Sequence, residues 1–237
     1  MPEISPALVK RFPALFLNHD IYERHYRVHK LLGRTKPGET VLDVGGEGHL
    51  DWFARRLNIK ILNIFGPEAY DGLTIPYPDD SFDYAVSIDT IEHMPKHMRG
   101  QHIAELVRVA RRRVVFCAPI GQPMQIQFQK KLLACGVMDE RTRQFVREHL
   151  EFGLPTPEEI EAALPHLRIR WYYSGNLKFY TVPSAPPKSK LRRAALLFVS
   201  LPMNWLANRV WLHLKFGRRR KPTTNRFYGV IDLEVFG

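Results

Sequence analysis

Short, mostly apolar runs recur near residues 40–45, 59–65, 82–88 and 113–118, and each reads as a buried strand. Helical patterns separate them at about 49–57 and 96–110. Ahead of the first run, HDIYERHYRVHKLLG places Ile21, Tyr22, Tyr26, Val28, Leu31 and Leu32 at helical spacing and stops at Gly33. Strands alternating with helices predict an α/β fold with a parallel sheet covered on both faces. Ligands of such sheets bind at the carboxyl ends of the strands, where Gly45, Asp89 and Pro119 fall.

The later chain departs from this alternation. Residues 122–165 read as helical stretches broken at Gly136 and at Gly153-Leu154-Pro155, after which Thr156 caps a helix with Pro157 at its first position and Glu159 three after the cap. LRIRWYY and NRFYGVIDLEVF supply two late strands. The expected organisation is an N-terminal arm and helix over 1–38, a main domain over 39–182 with 225–237, and a Pro-rich linker with a basic insertion over 183–224.

The net charge of +11 localises sharply. Ten of the 35 Lys and Arg lie between Lys188 and Lys221, where there is no Asp or Glu; the remaining 25 face 24 acids, so the rest of the chain is nearly neutral. The apolar run Ala194–Met203 is too short for a bilayer, which needs about 20 apolar residues. Leu206, Ala207, Val210 and Leu214 form a helical stripe, Asn204, Asn208, Arg209 and Lys215 lie largely off it, and Trp205 and Trp211 add amphipathic rings. This pattern predicts a helix lying in a membrane interface over 188–221. The alternative is a surface helix pair docked on the domain; nucleic-acid binding is the weakest reading. Cys117 and Cys135, with no signal peptide at MPEISPALVK, are expected to be reduced thiols in a cytoplasmic protein.

Two segments carry the chemistry. VLDVGGEGHL (41–50) is a strand ending in Asp43, then a turn bearing Gly45, Gly46 and Gly48 that lets a ligand approach the backbone. Some forty residues on comes IPYPDDSFDYAVSIDTIEHMP. Together, over roughly residues 20–182, they resemble the class I S-adenosylmethionine-dependent methyltransferases, and within them the type 11 group. The resemblance implies a Rossmann-like fold with a mostly parallel seven-stranded sheet and helices on both faces, here with a basic amphipathic helical segment inserted before the last strand. It implies S-adenosylmethionine as cofactor, with Asp43 and the Gly45–Gly46–Gly48 turn at its methionine end and Asp71, beside Gly72, at the adenine. Asp89 and His93 would border the methyl-transfer cleft, Asp89 also touching the cofactor. Two positions depart from the family pattern. Glu47 and His49 interrupt the glycines, and the second strand offers Asn63 or Phe65 where an acid usually binds the ribose. Asn63 can bond a diol without the charge assistance of a carboxylate.

Methyl transfer depends on positioning, and a hydroxyl acceptor also gains from a base. His93 is the first candidate for that base, and His149 could reach the cleft from the covering helices. Asp89, Glu92 and His93 form a D-x-x-E-H cluster similar to the E-x-x-E-H metal ligands of some O-methyltransferases. Because Glu92 can instead cap or pair with Lys96 or Arg99, no metal is assigned. Asp79, Asp80 and Asp83 read as a turn before the strand, and Arg111–Arg113 as a solvated helix end. The expected function is O-directed methylation of a glycan or lipid-linked acceptor at the cytoplasmic membrane face. The alternatives are a small molecule, quinone-like lipid or RNA acceptor, or a non-catalytic methyltransferase-like binding protein.

Overall fold

Val41, Leu42, Asp43 and Val44 are all buried, so β1 (Thr40–Val44) is covered on both faces. The computed structural model containing it describes residues 5–64, 70–180, 199–212 and 216–233. Phe65, the Pro-rich linker, Leu214 and the side chain of Trp211 lie outside the described residues. β2 (Asn58–Leu62), β3 (Phe82–Ile88), β4 (Ala110–Pro119), β5 (Ile169–Ser174) and β6 (Arg226–Asp232) complete one sheet in the order β2-β1-β3-β4-β6-β5. The β2–β1, β1–β3 and β3–β4 pairs are parallel; β6 runs antiparallel to both β4 and β5. The sheet therefore has six strands among the described residues, not seven. Residues 70–81 hold turns, with Pro76 and Pro78 removing two ladder donors.

Alternation with a period of two sorts the side chains into two cores. Leu42, Val44, Ala85, Val114, Phe116, Phe227 and Ile231 face one side, packed by α4 (Lys96–Val109) and α7 (Pro157–Ala163) through Ile103, Leu106 and Ile160. Val41, Tyr84, Val86, Val115, Cys117, Tyr228 and Val230 face the other, against Val28 and Leu32 of the α3 segment (α3, His19–Leu31) and against Leu50, Ala54 and Leu57. A Cβ at Gly229 would strike the Phe116 ring, so that glycine makes room for the largest side chain of the strand beside it.

Two further sequence expectations are corrected. The helix predicted over 49–57 is one 3₁₀ turn, His49–Trp52, because the chain folds tightly back at Ala54 and Leu57 to enter β2 at Asn58. Arg111–Arg113 belong to β4 rather than a helix end, and each is paired, with Asp83, Glu39 and Asp232 respectively. The predicted break at Gly136 does separate α5 (Pro123–Ala134) from α6 (Glu140–Glu151), and Thr156 caps α7 by accepting from Glu159 N–H.

Within the insertion, residues 199–212 form one helical stretch. A helix over 199–206, labelled α8, runs into a π-helical turn at Ala207–Trp211. The turn carries a polar side chain inward: Asn208 is fully buried, donates to the carbonyls of Ala14 and Leu17 at 3.0 Å each, and bonds His19. Arg27 donates to the Leu212 carbonyl, and Leu212 packs with Ala14, Leu17 and Tyr22. The π turn thus docks on α2 and α3 beside α1 (α1, Pro6–Arg11; α2, Pro13–Phe16), while Leu206 and Val210 of the predicted stripe turn outward.

Candidate active site

The site lies at the carboxyl ends of β1, β2 and β3. Beyond β1 the chain turns at Gly45, with φ +82°, and a Cβ there would collide with the Thr90 hydroxyl. At Gly46 a Cβ would overlap the Asp43 carboxylate, so the peptide lies directly on that acid. Asn63 secures the turn by donating to the Gly46 carbonyl at 3.3 Å. Asp43 itself is buried, its Oδ1 has no hydrogen-bond partner, and burial pushes its carboxyl up to about 7.

Two apolar side chains line the next stretch. Ile61 and Ile64 are exposed at the end of β2, beside Gly48 and Gly72 respectively. Asp71 stands on the same rim, exposed, with Oδ1 accepting from the N–H groups of Thr74 and Leu73 at 2.7 and 2.8 Å. Those bonds hold its carboxyl below the usual range.

Asp89, just after β3, adopts a left-handed φ of +53°, a conformation that costs a non-glycine residue free energy and needs surrounding contacts to hold it. Two arginines supply them. Arg24 from α3 and Arg226 from β6 both pair with its carboxylate, and both also reach Asp20, at 3.2 and 3.5 Å. The four residues close a ring of alternating charge. Burial alone would raise Asp20, but Arg226 and Arg24 more than offset it and hold the carboxyl down. The ring ties α3 across the end of the sheet and sets the Asp89 carboxylate between two cations.

One turn on, Glu92 and His93 end a 3₁₀ turn. Glu92 is buried with Oε2 unpartnered, and burial pushes it up to about 8. Arg99, its expected partner, instead bonds Glu159 at 2.8 Å and the carbonyls of Ile91, Met94, Phe152 and Gly153, stapling α4 to the cover. His93 Nδ1 bonds Glu148 at 2.8 Å; burial lowers its pKa, and Glu148 offsets part of that. His149 reaches the same spot from α6, its Nε2 3.4 Å from His93 Nε2 and its Nδ1 3.3 Å from Gln129 Oε1. Burial first, and then His93, push His149 down to about 3.

Residues 53–118 match a family model described as a methyltransferase domain. That segment, from Phe53 to Ala118, is similar in sequence to methyltransferase domains. No curated protein matches the sequence. Solved structures share the fold of this methyltransferase at low identity. A SAM-dependent methyltransferase from Archaeoglobus fulgidus is 13% identical, with 95% of this chain and 98% of that chain covered and a TM-score of 0.55. The plantazolicin methyltransferase BpumL in complex with SAH is 11% identical, with 97% and 89% covered and a TM-score of 0.52. A geranyl diphosphate methyltransferase in complex with SAM is 13% identical, with 90% and 85% covered and a TM-score of 0.50.

The methyltransferase's residues fit its S-adenosylmethionine cofactor. A buried carboxyl with an unpartnered Oδ1 at Asp43 suits a cation, and the cofactor's methionine end carries an ammonium. The structure brings Asp43, Gly45, Gly46, Asn63 and Thr90 together, and places Gly48, Asp71 and Gly72 along the rim with Ile61 and Ile64. Arg24, Thr90 and Glu148 escaped the sequence reading. Arg24 is 65 positions from Asp89 and Glu148 is 55 from His93, and neither pair shares a local motif.

Proposed function

We propose that this methyltransferase methylates a hydroxyl of a glycan or lipid-linked acceptor at the cytoplasmic face of a membrane. The observation that carries the membrane reading is the outward face of α8 and its π turn. Val199, Met203, Leu206 and Val210, at helical spacing, are 61%, 55%, 41% and 45% exposed, with Trp205 beside them at 50%. An apolar stripe that avoids the core while polar Asn208 is buried has the pattern of a surface that meets lipid. No helix among the described residues is long and apolar enough to cross a membrane, so the contact is interfacial. Arg218–Lys221, at the end of the basic segment, line two open clefts of about 450 and 580 Å³, which suits an acceptor bearing phosphate.

When bound, S-adenosylmethionine supplies a methyl group on a cationic sulfur. In this reading Asp43 meets the cofactor's ammonium, Asn63 its ribose hydroxyls and Asp71 its adenine amino group. Gly45, Gly46, Gly48 and Gly72 allow close backbone approach, and Ile61 and Ile64 supply the apolar surface for the adenine ring. His93, oriented by Glu148, receives the proton that the acceptor hydroxyl loses as its oxygen gains the methyl group. Asp89 acts indirectly, since its charge is spent on Arg24 and Arg226; it fixes the backbone that aims His93.

Vesicle flotation tests the membrane reading. The wild type is expected to float with anionic vesicles and much less with neutral ones, and Ser at 199, 203, 206 and 210 together should release it. Asn208 remains in that variant, so α8 stays docked. Equal flotation of both proteins would contradict the proposal.

A further inference from the structure

We propose that Glu92, His93 and His149 form a binding site for one first-row transition-metal dication of the Zn²⁺ or Mn²⁺ kind. One ligand atom from each residue lies within 4.8 Å of the others, close enough for a single ion to be reached by small side-chain adjustments. Metal–ligand bonds of about 2.0–2.2 Å place the ligands of one ion roughly 3–4 Å apart.

Three independent features point the same way. The first is the free face of each imidazole. His93 Nδ1 is held by Glu148 at 2.8 Å and His149 Nδ1 by Gln129 Oε1 at 3.3 Å, which leaves the two Nε2 atoms facing each other. Metal-bound histidines are held in this way, with an acceptor on the second nitrogen fixing tautomer and ring orientation. The second is Glu92, which is buried with Oε2 unpartnered, an arrangement that costs free energy unless a cation offsets it. The third is the composition of the set. Two imidazoles and one carboxylate suit Zn²⁺, Mn²⁺ or Fe²⁺, whereas Mg²⁺ and Ca²⁺ prefer oxygen ligands.

Asp89 is not a ligand in this proposal. Arg24 and Arg226 occupy its carboxylate, and His149 from the cover takes the place that a third acid from the same turn would fill. Three protein ligands leave a coordination position open. If the O-methylation reading holds, an ion held there would lower the pKa of an acceptor hydroxyl in that position so that its proton passes to solvent, and His93 would hold the ion in place of taking that proton.

The test reads metal binding alone, so its failure is distinct from failure of the methylation reading. Chelator-treated protein is titrated with Zn²⁺, Mn²⁺ and Mg²⁺ by calorimetry and with Co²⁺ by visible absorption, with no acceptor present. One equivalent of Zn²⁺ or Co²⁺ should bind, and Mg²⁺ much more weakly. His149→Ala and Glu92→Gln should each weaken Zn²⁺ binding more than about tenfold, and Glu148→Gln by about tenfold through the ring it orients. Glu92→Gln keeps shape and drops a buried charge, and circular dichroism confirms that each variant is folded. Absence of Zn²⁺ binding, Mg²⁺ binding as tight as Zn²⁺, or unchanged affinity in folded His149→Ala would overturn the site.

Discussion

His93 and His149 stand Nε2 to Nε2 at 3.4 Å, although 56 positions separate them. The contact joins the turn after β3 to the helical cover. It brings together two imidazoles, a carboxylate at Glu148 and a buried acid at Glu92. His93→Ala should lower turnover by roughly a hundredfold or more. Affinity for S-adenosylhomocysteine should not change, since Asp43 and the glycine turn lie apart from the imidazole pair. Steady-state kinetics with calorimetry checks both; unchanged turnover would make His93 structural.

Asp43 gives a pH signature. Its carboxyl is raised to about 7 from an ordinary value of 3.8, so its contribution to ligand-free stability is full below about pH 4 and is lost as pH rises through 7. Asp43→Asn should therefore melt several degrees above wild type at pH 8 and close to it at pH 4. The same acid must ionise to meet the cofactor's ammonium. Binding of S-adenosylhomocysteine at pH 6 should release nearly one proton in the wild type and none in Asp43→Asn, measured by calorimetry in buffers of different ionisation heat.

Gly46→Ala would drive a Cβ into the Asp43 carboxylate and should weaken S-adenosylhomocysteine binding at least tenfold. Gly38→Ala is the control. Gly38 has a positive φ of +87°, which Gly46 lacks, but open space around it, so its variant should lose only about 1 kcal/mol of stability and bind normally. Comparable binding losses in the two would show that backbone strain, not approach to the ligand, governs the turn.

Much of the sheet was legible because β1, β3 and β4 are buried on both faces and leave unbroken apolar runs. The Thr156 cap was legible because its signal is local. Long-range polar contacts were not. α3 turns Glu23, His25 and Arg27 inward, and α8 buries Asn208, each reversing the rule that polar positions face water. Asp43, Gly45 and Gly46 were singled out through the resemblance that VLDVGGEGHL carries, whereas Arg24 at Asp89 was not, since nothing near residue 24 marks a partner 65 positions away. The same docking means that deleting 188–221 would expose the arm around Leu212, so point substitutions on α8 are the cleaner membrane test.

Arg24→Ala would open the charge ring and leave Asp89 with Arg226 alone. A loss of about 2 kcal/mol is expected, less than the roughly 3–5 kcal/mol of a fully buried pair because both side chains are partly exposed. Chemical denaturation measures it. A loss within about 0.5 kcal/mol would mean that the ring contributes no more than a surface ion pair.

Transfer of labelled methyl from S-adenosylmethionine into membrane lipid extracts tests the central claim most directly. Wild-type protein should place label in an organic-extractable product stable to mild alkali, as a methyl ether is, and His93→Ala should place roughly a hundredfold less. Label confined to water-soluble products, label released by alkali, or no transfer by protein that binds S-adenosylhomocysteine would contradict it.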